Sequence, residues 1–253
     1  MRIICLSAET ADLCSRLGVW DEVVAVSAFA DQSGLPPKPV ASGFSSGGAE
    51  FILGFAPDLI LGYSDVQADL AAALIKGGAT VLITNQRTLG ETKDAMRLIA
   101  RTLGREREGD AVVAQFENDL DALRAKDQRA WRVYFEEWSD PPISGIGWVG
   151  ELIEALGGVD IFASRRGRAA RNRIVTDEEV RALGPEIILA SWCGKSVDID
   201  SVRIRLAGTP AVERGSVFEI PSADILQPGP RLIHGARKIQ RIFDEAKKVA
   251  DCV

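Results

Sequence analysis

The chain has 253 residues, enough to bury a large core as one big domain or two small ones. Its 46% hydrophobic and 26% charged content is ordinary for a globular protein. A net charge of −6, with no basic stripe interleaved with aromatics, argues against a nucleic-acid partner, and no apolar run approaches the roughly 18 residues needed to span a membrane.

Residues 3–6 form a first strand, entered directly from Met1. No basic, apolar and small-residue series of a signal peptide precedes it. The expected location is therefore cytoplasmic, or periplasmic or cell-surface if a signal has been removed. Ser7 or Thr10 caps a helix carrying Leu13, Leu17 and Trp20, which Gly18 closes. Residues 23–26 are a second strand, followed by a loop with Phe29. Pro36, Pro37 and Pro39 keep the next stretch extended, and residues 43–48 are a flexible turn.

The pattern that follows occurs twice. Glu50 precedes Pro57 by seven residues, Asp58 follows, and an aliphatic strand runs over 59–61; 128 residues later Glu178, Pro185, Glu186 and a strand over 187–190 repeat it. Each copy reads as a short helix closed by Pro and then a buried strand. Two copies imply two lobes of similar build, with a ligand site expected between them.

Asp65 is placed to cap a helix over 66–76, a strand covers 80–84, and a helix covers 91–103. This alternation predicts a parallel sheet in an α/β fold. Residues 105–127 carry one helical stripe of Val112, Val113, Phe116, Leu120 and Leu123, either a surface helix or a rigid connector. The expected division is a lobe over 1–103, a connecting helix over 104–128 and a lobe over 129–253. In the second lobe, strands are predicted over 132–135 and 217–220, and helices over 148–156 and 231–250.

Ligands of parallel sheets sit beyond the carboxyl ends of the strands. Those ends gather Ser7, Glu9, Phe29, Tyr63, Ser64, Gln86, Glu136, Trp138, Trp192, Cys193 and Gln227; Trp148 is a further aromatic candidate. Aromatic walls with a few hydrogen-bonding groups suit a small molecule. Nucleophile-elbow, phosphate-loop, dinucleotide and zinc-protease signatures are all missing from the sequence. The single histidine, His234, reads as a packed or surface residue, and a metal set of Glu9, Glu136 and His234 lacks ligand spacing. Of the four cysteines (Cys5, Cys14, Cys193 and Cys252), Cys5 and Cys14 are expected in the core as free thiols; none has zinc spacing. Cys193, beside Lys195, is conceivable as a nucleophile. Glu136 and Glu137 leave a strand on opposite faces, so one is expected in the pocket and one outside. Arg165, Arg166, Arg168, Arg171 and Arg173 form a solvated loop or a clamp for an acidic ligand group.

With these residues in place, the chain resembles the substrate-binding proteins of iron-complex and cobalamin ABC importers. The resemblance is carried by residues 2–7 with Glu9 and Thr10, by Leu17-Gly18 with residues 23–27, and by both Glu–Pro–acid repeats. Residues 134–138, 143–145, Trp148, 151–153, 191–195 and 226–230 look like a subgroup often labelled cobalamin-binding. The resemblance implies an α/β protein of two Rossmann-like lobes joined by one long helix, a shallow cleft between them, and small opening motions. It implies a non-enzymatic, monomeric binder of a cobalamin-like corrinoid or a ferric siderophore or haem-like complex, with no cofactor of its own. It also implies that Glu50 and Glu178 face the arginines of an ABC permease dimer. The alternative is a cytoplasmic cofactor-binding protein or enzyme using Cys193 or Glu136.

Overall fold

A computed structural model describes residues 1–43, 46–124, 129–167 and 169–250. Phe44 and Ser45 of the expected turn, residues 125–127 of the expected long helix, Arg168 and Cys252 lie outside the described residues. The chain divides into two compact units. The first comprises Met1–Gln86, Gly90–Gln115 and Gln227–Pro230; the second comprises Arg87–Leu89, Phe116–Leu226 and Arg231–Val253.

In the first unit the chain runs β1 (Ile3–Cys5), α1 (Ala8–Arg16), β2 (Val23–Ser27), β3 (Val40–Ser42), α2 (Ala49–Leu53), β4 (Leu59–Tyr63), α3 (Ala68–Lys76), β5 (Val81–Thr84) and α4 (Leu89–Thr102). The strands pair in the order β3-β2-β1-β4-β5, all parallel, as the alternation predicts. β3 was not foreseen as a strand; Pro37 and Pro39 precede it and leave Val40–Ser42 free to pair at the sheet edge. The sheet is apolar on both faces. Ile3, Cys5, Val26 and Leu61 pack with Leu13 and Cys14 of α1 on one side. Ile4, Ala25 and Ile60 pack with Ile52 of α2 and Leu74 of α3 on the other. Cys5 and Cys14 are free and fully buried, with their sulfurs 3.7 Å apart.

α5 (Glu106–Leu123) is the expected long helix; its residues through Gln115 belong to the first unit and those from Phe116 to the second. Val113, Phe116 and Leu120 of the expected stripe are buried. Gly109 lets α5 lie close on α4, because a Cβ there would stand 2.3 Å from that of Ala100.

The second unit continues with β6 (Arg132–Ser139), β7 (Pro142–Ser144), α6 (Gly147–Ala155), β8 (Val159–Asp160), α7 (Asp177–Leu183), β9 (Ile187–Ala190), α8 (Ile199–Arg205), α9 (Pro210–Glu213), β10 (Val217–Glu219), α10 (Ser222–Ile225) and α11 (Leu232–Ala250). Its sheet has the order β10-β9-β6-β7, with β8 also on β6. Pairings are parallel except β6 with β7, which form an antiparallel hairpin that strand alternation alone did not signal.

The sequence repeat has a physical core. In each copy an arginine opens the central strand of the sheet and is clamped by the acid after the proline. The N–H of Arg2 donates to Asp58 Oδ2 at 2.6 Å, and the N–H of Asp58 donates back to the Arg2 carbonyl at 2.8 Å. Arg132 and Glu186 make the same exchange at 3.2 and 2.8 Å. Each guanidinium then reaches the end of the preceding helix: Arg2 donates to the carbonyls of Phe55 and Ala56, and Arg132 to that of Leu183. Leu183 is the last residue of α7, whose carbonyl has no partner within the helix and lies at its negative dipole end, while Phe55 and Ala56 lie in the turn just beyond α2. The residue before each proline is left-handed, Ala56 at φ 47° and Gly184 at φ 56°. The helices thus end by a left-handed turn before the proline, and the proline confirms the break.

Candidate functional site

The carboxyl edge of the first sheet presents one polar side chain per strand: Ser42, Ser27, Ser7, Ser64 and Gln86, in sheet order β3-β2-β1-β4-β5. All are buried. The edge is braced from within by Gln67, whose Nε2 donates to the Leu6 carbonyl at 3.0 Å and whose Oε1 accepts from the Tyr63 N–H at 3.0 Å. One amide therefore ties the ends of β1 and β4. Gly62 makes room for it, since a Cβ there would lie 2.3 Å from Gln67 Oε1. Ser64 adopts φ 75°, a strained conformation for a residue with a side chain. Its Oγ accepts from the Val66 N–H at 3.3 Å, so Ser64, and not Asp65, caps the 3₁₀ turn leading into α3. The Tyr63 hydroxyl donates to the Gln86 carbonyl at 3.3 Å, and Gln86 Nε2 donates to the Pro228 carbonyl at 3.1 Å. That bond holds residues 227–230, with half-buried Gln227, on this unit.

Glu9 stands in the first turn of α1, 6% exposed, with Gly229 against its Cβ. Burial pushes its carboxyl up to about 7; a hydrogen bond from Ser7 and the Glu9 backbone N–H pull the other way and lose. Its Oε1 has no hydrogen-bond partner. Phe29 is 49% exposed at the end of β2.

In the second unit, Glu136 is fully buried, and its surroundings correct its expected role as a ligand contact. Arg205 Nη2 donates to both of its oxygens at 2.8 Å, Trp192 Nε1 donates at 3.2 Å, and the Tyr134 hydroxyl donates at 3.3 Å. Burial raises its carboxyl while Arg205 opposes the rise. Glu137 does leave on the other side, but meets Arg173 at 2.5 Å, and Arg173 also donates to the Ser144 carbonyl at 2.5 Å. Both carboxylates are thus held by guanidinium groups. Arg171 is exposed, as the solvated reading of the arginine cluster expects, but three other members are engaged within the unit. Arg173 is buried, Arg165 pairs with Glu179, and Arg166 binds Asp160 at 2.9 Å and Glu154 at 2.6 Å. These three neither wave in solvent nor stand free for an acidic ligand.

Trp148 is 1% exposed and donates from Nε1 to the Ile225 carbonyl at 2.8 Å, so it is core rather than wall. Trp192 is buried among Tyr134, Phe162 and Val175, while Trp138 is half-buried at the end of β6. The Lys195 ammonium sits 4.2 Å from the Trp138 ring centroid and 5.0 Å from that of Trp192, a cation held by two indoles. Cys193 is exposed beside it. Desolvation of its sulfur and the Glu137 carboxylate push the thiol up, against the lowered value an activated nucleophile needs. Glu136 is held by Arg205 and the Cys193 thiol is pushed up, so neither has the activation that the catalytic alternative calls for.

Glu50 is exposed as the second residue of α2, and Glu178 is exposed as the second residue of α7. Glu178 is 2.9 Å from Arg181, and its carboxyl is held low by its own backbone N–H and by Thr176. His234 is exposed on α11, and no group of three or more His, Cys, Asp or Glu among the described residues could hold a metal ion. Arg205, Tyr134 and Gln67 are the residues sequence reasoning missed. A buried acid demands a cation, but the chain has many arginines, and nothing local marks Arg205, 69 residues away, as the one.

A vitamin B12-binding protein of Vibrio parahaemolyticus is 24% identical to this chain, over 98% of this chain and 90% of that protein. An uncharacterized ABC transporter substrate-binding lipoprotein of Bacillus subtilis, YvrC, is 23% identical over 94% and 78%. Among solved structures, the periplasmic heme-binding protein RhuT of Roseiflexus superposes with a TM-score of 0.82 at 22% identity, covering 97% of this chain and 98% of that one. The family model described as periplasmic binding protein matches residues 3–223, and the chain belongs to that family.

Proposed function

We propose that this protein is the substrate-binding component of an ABC importer, that it acts outside the cytoplasmic membrane as a monomer without catalysing a reaction, and that its cargo is a cobalamin-like corrinoid. Support for the importer role comes from the family and from relatives named as B12-binding and ABC-transporter substrate-binding proteins. The observation that carries the choice of ligand is the engagement of Arg165, Arg166, Arg173 and Arg205 by carboxylates of their own unit, and of Lys195 by the rings of Trp138 and Trp192. A haem-like ligand presents carboxylates that call for free cations, whereas a corrinoid presents uncharged amides, which suit hydroxyls, amides and indoles. The contacts we propose in the first unit are Ser7, Glu9, Phe29, Tyr63, Ser64 and Gln86, with Gln227; in the second they are Trp138, Trp192 and Cys193. Glu50 and Glu178 are the proposed permease contacts.

The test is titration with cyanocobalamin, cobinamide, hemin and ferric siderophores, read by quenching of the five tryptophans after correction for ligand absorbance. Saturable quenching by the corrinoids, stronger than by hemin, is expected. Preference for hemin overturns the choice of cargo, and no saturable response to any of them overturns the importer reading.

A further inference from the structure

The first unit contains one acidic group placed where a structural role alone does not account for it. Glu9 follows the central strand β1 at the carboxyl edge of the sheet, where the neighbouring strands end in the uncharged Ser27, Ser42, Ser64 and Gln86; the charged residues next along the chain are Asp31, Asp65 and Arg87, none of which contributes to the shift of the Glu9 carboxyl. The segment Gln227–Pro230 lies over it. A Cβ on Gly229 would stand 2.7 Å from Glu9 Cβ and 3.7 Å from its Cγ. That segment brings no titratable side chain and is tied down through Gln86 Nε2 and the Pro228 carbonyl. Glu9 Oε1 and the hydroxyl of Ser42 are both buried without a hydrogen-bond partner. A buried polar atom left unsatisfied is costly and calls for an explanation.

Resting on the corrinoid reading above, we infer that Glu9 recognises the ligand as a neutral carboxylic acid, donating its proton to an amide or other carbonyl oxygen at the ligand's periphery. A carboxylate in that place offers only acceptors and would repel such an oxygen; the protonated form offers one donor. The carboxyl is pushed up to about 7 because burial outweighs the hydrogen bonds from Ser7 and from the Glu9 backbone N–H, and no neighbouring charge contributes to the shift. Glu9 is therefore a specificity residue that reads ligand oxygen, and binding consumes its protonated form.

The experiment measures cyanocobalamin affinity by tryptophan quenching from pH 6 to 8.5 for wild type and Glu9→Gln. The probe has no group titrating in this window. With a carboxyl near 7, the protonated fraction falls about 30-fold between those limits, and wild-type affinity should fall by about the same factor. Glu9→Gln keeps an amide donor and cannot titrate, so its affinity should be flat. A flat wild-type profile, or one that Glu9→Gln reproduces, overturns the inference while leaving the corrinoid reading intact. No binding by wild type at any pH removes the corrinoid reading and the inference with it. If Glu9→Gln does not fold, the Glu9 carboxyl carbon resonance of labelled wild type decides. By linkage, cyanocobalamin must shift its titration to higher pH, and an unchanged titration overturns the inference.

Discussion

Replacing Arg205 with Leu isolates the energetics of the buried carboxylate in the second unit. Glu136 is fully buried, and Arg205 Nη2 lies 2.8 Å from each of its oxygens; the two other donors, Tyr134 and Trp192, are neutral. Without the guanidinium, Glu136 must either stay charged, costing about 3–5 kcal/mol, or take up a proton. Asp177 also loses Arg205, at 2.7 Å, but it is partly exposed and adds no more than about 1 kcal/mol. Total stability of a domain is about 5–15 kcal/mol, so the loss is a large fraction of it. The pH dependence gives the mechanism away. Burial already holds the folded carboxyl of Glu136 above its ordinary value, so the native state binds more protons than the unfolded chain over that interval, and stability falls as pH rises. In Arg205→Leu the folded value rises further, and above the wild-type folded value the variant should lose about 1.4 kcal/mol more per pH unit than wild type, until Glu136 ionises in the fold. Urea unfolding followed by circular dichroism at pH 4.5 and pH 8 should show a small penalty at the first and the full penalty at the second. Glu136→Gln with Arg205→Leu should recover most of the loss at pH 8. A penalty of equal size at both pH values, or one unchanged by Glu136→Gln, would refute the argument.

The remaining tests address other parts of the molecule. Glu9 moves from an ordinary 4.5 to about 7 on folding, so wild type should lose about 2.5 kcal/mol between pH 5 and pH 8 on its account; the stability difference between Glu9→Gln and wild type, measured by urea titration at those two pH values, should change by that amount in favour of the variant at high pH. Gly62→Ala should cost roughly 2–4 kcal/mol, because its Cβ would meet Gln67 Oε1 at 2.3 Å and Ile83 Cδ1 at 2.6 Å, breaking the brace between β1 and β4; a loss under about 1 kcal/mol in the urea midpoint would contradict it. Glu50→Ala with Glu178→Ala should leave cyanocobalamin affinity unchanged and reduce transport in reconstituted vesicles at least tenfold, since both side chains are exposed on the second residue of their helices; undiminished transport would remove both from the docking surface.

The elements legible in the sequence were those whose pattern is local. β9 falls on the residues expected, 187–190, and α6, α11 and the buried stripe of α5 lie within a few residues of their helical periods. What escaped depends on partners distant in the chain. β6 continues to Ser139 because β7 pairs with its far half, and no pattern within 132–139 announces that partner. Period-2 geometry placed Glu136 and Glu137 on opposite faces, which holds; that each face would supply an arginine, from 69 and 36 residues away, is a tertiary fact. Trp148 illustrates the opposite error. A large aromatic at the start of a predicted helix reads as a candidate wall, yet its N–H finds the Ile225 carbonyl 77 residues on and the ring is swallowed by the core.

The repeat is where sequence and structure inform each other most. A glutamate, a proline and an acid at matched spacing were visible as letters, but the letters did not say why the acid must be there. In both units the acid receives the N–H of the arginine that opens the central strand, and that arginine's guanidinium binds carbonyls at or just beyond the end of the helix bearing the exposed glutamate. The proline cannot donate an N–H, so the acid after it provides the first hydrogen-bonding link to the sheet. Arg2 and Arg132 were read only as strand starts, although each lies one residue ahead of an apolar strand in its repeat. The conserved object between the two halves is therefore not a stretch of side chains but a connection: helix end, left-handed residue, proline, acid and strand-opening arginine. It fixes Glu50 and Glu178 each at the start of a short helix whose far end is anchored to its own sheet, which is what a surface glutamate needs in order to present a defined position to a partner.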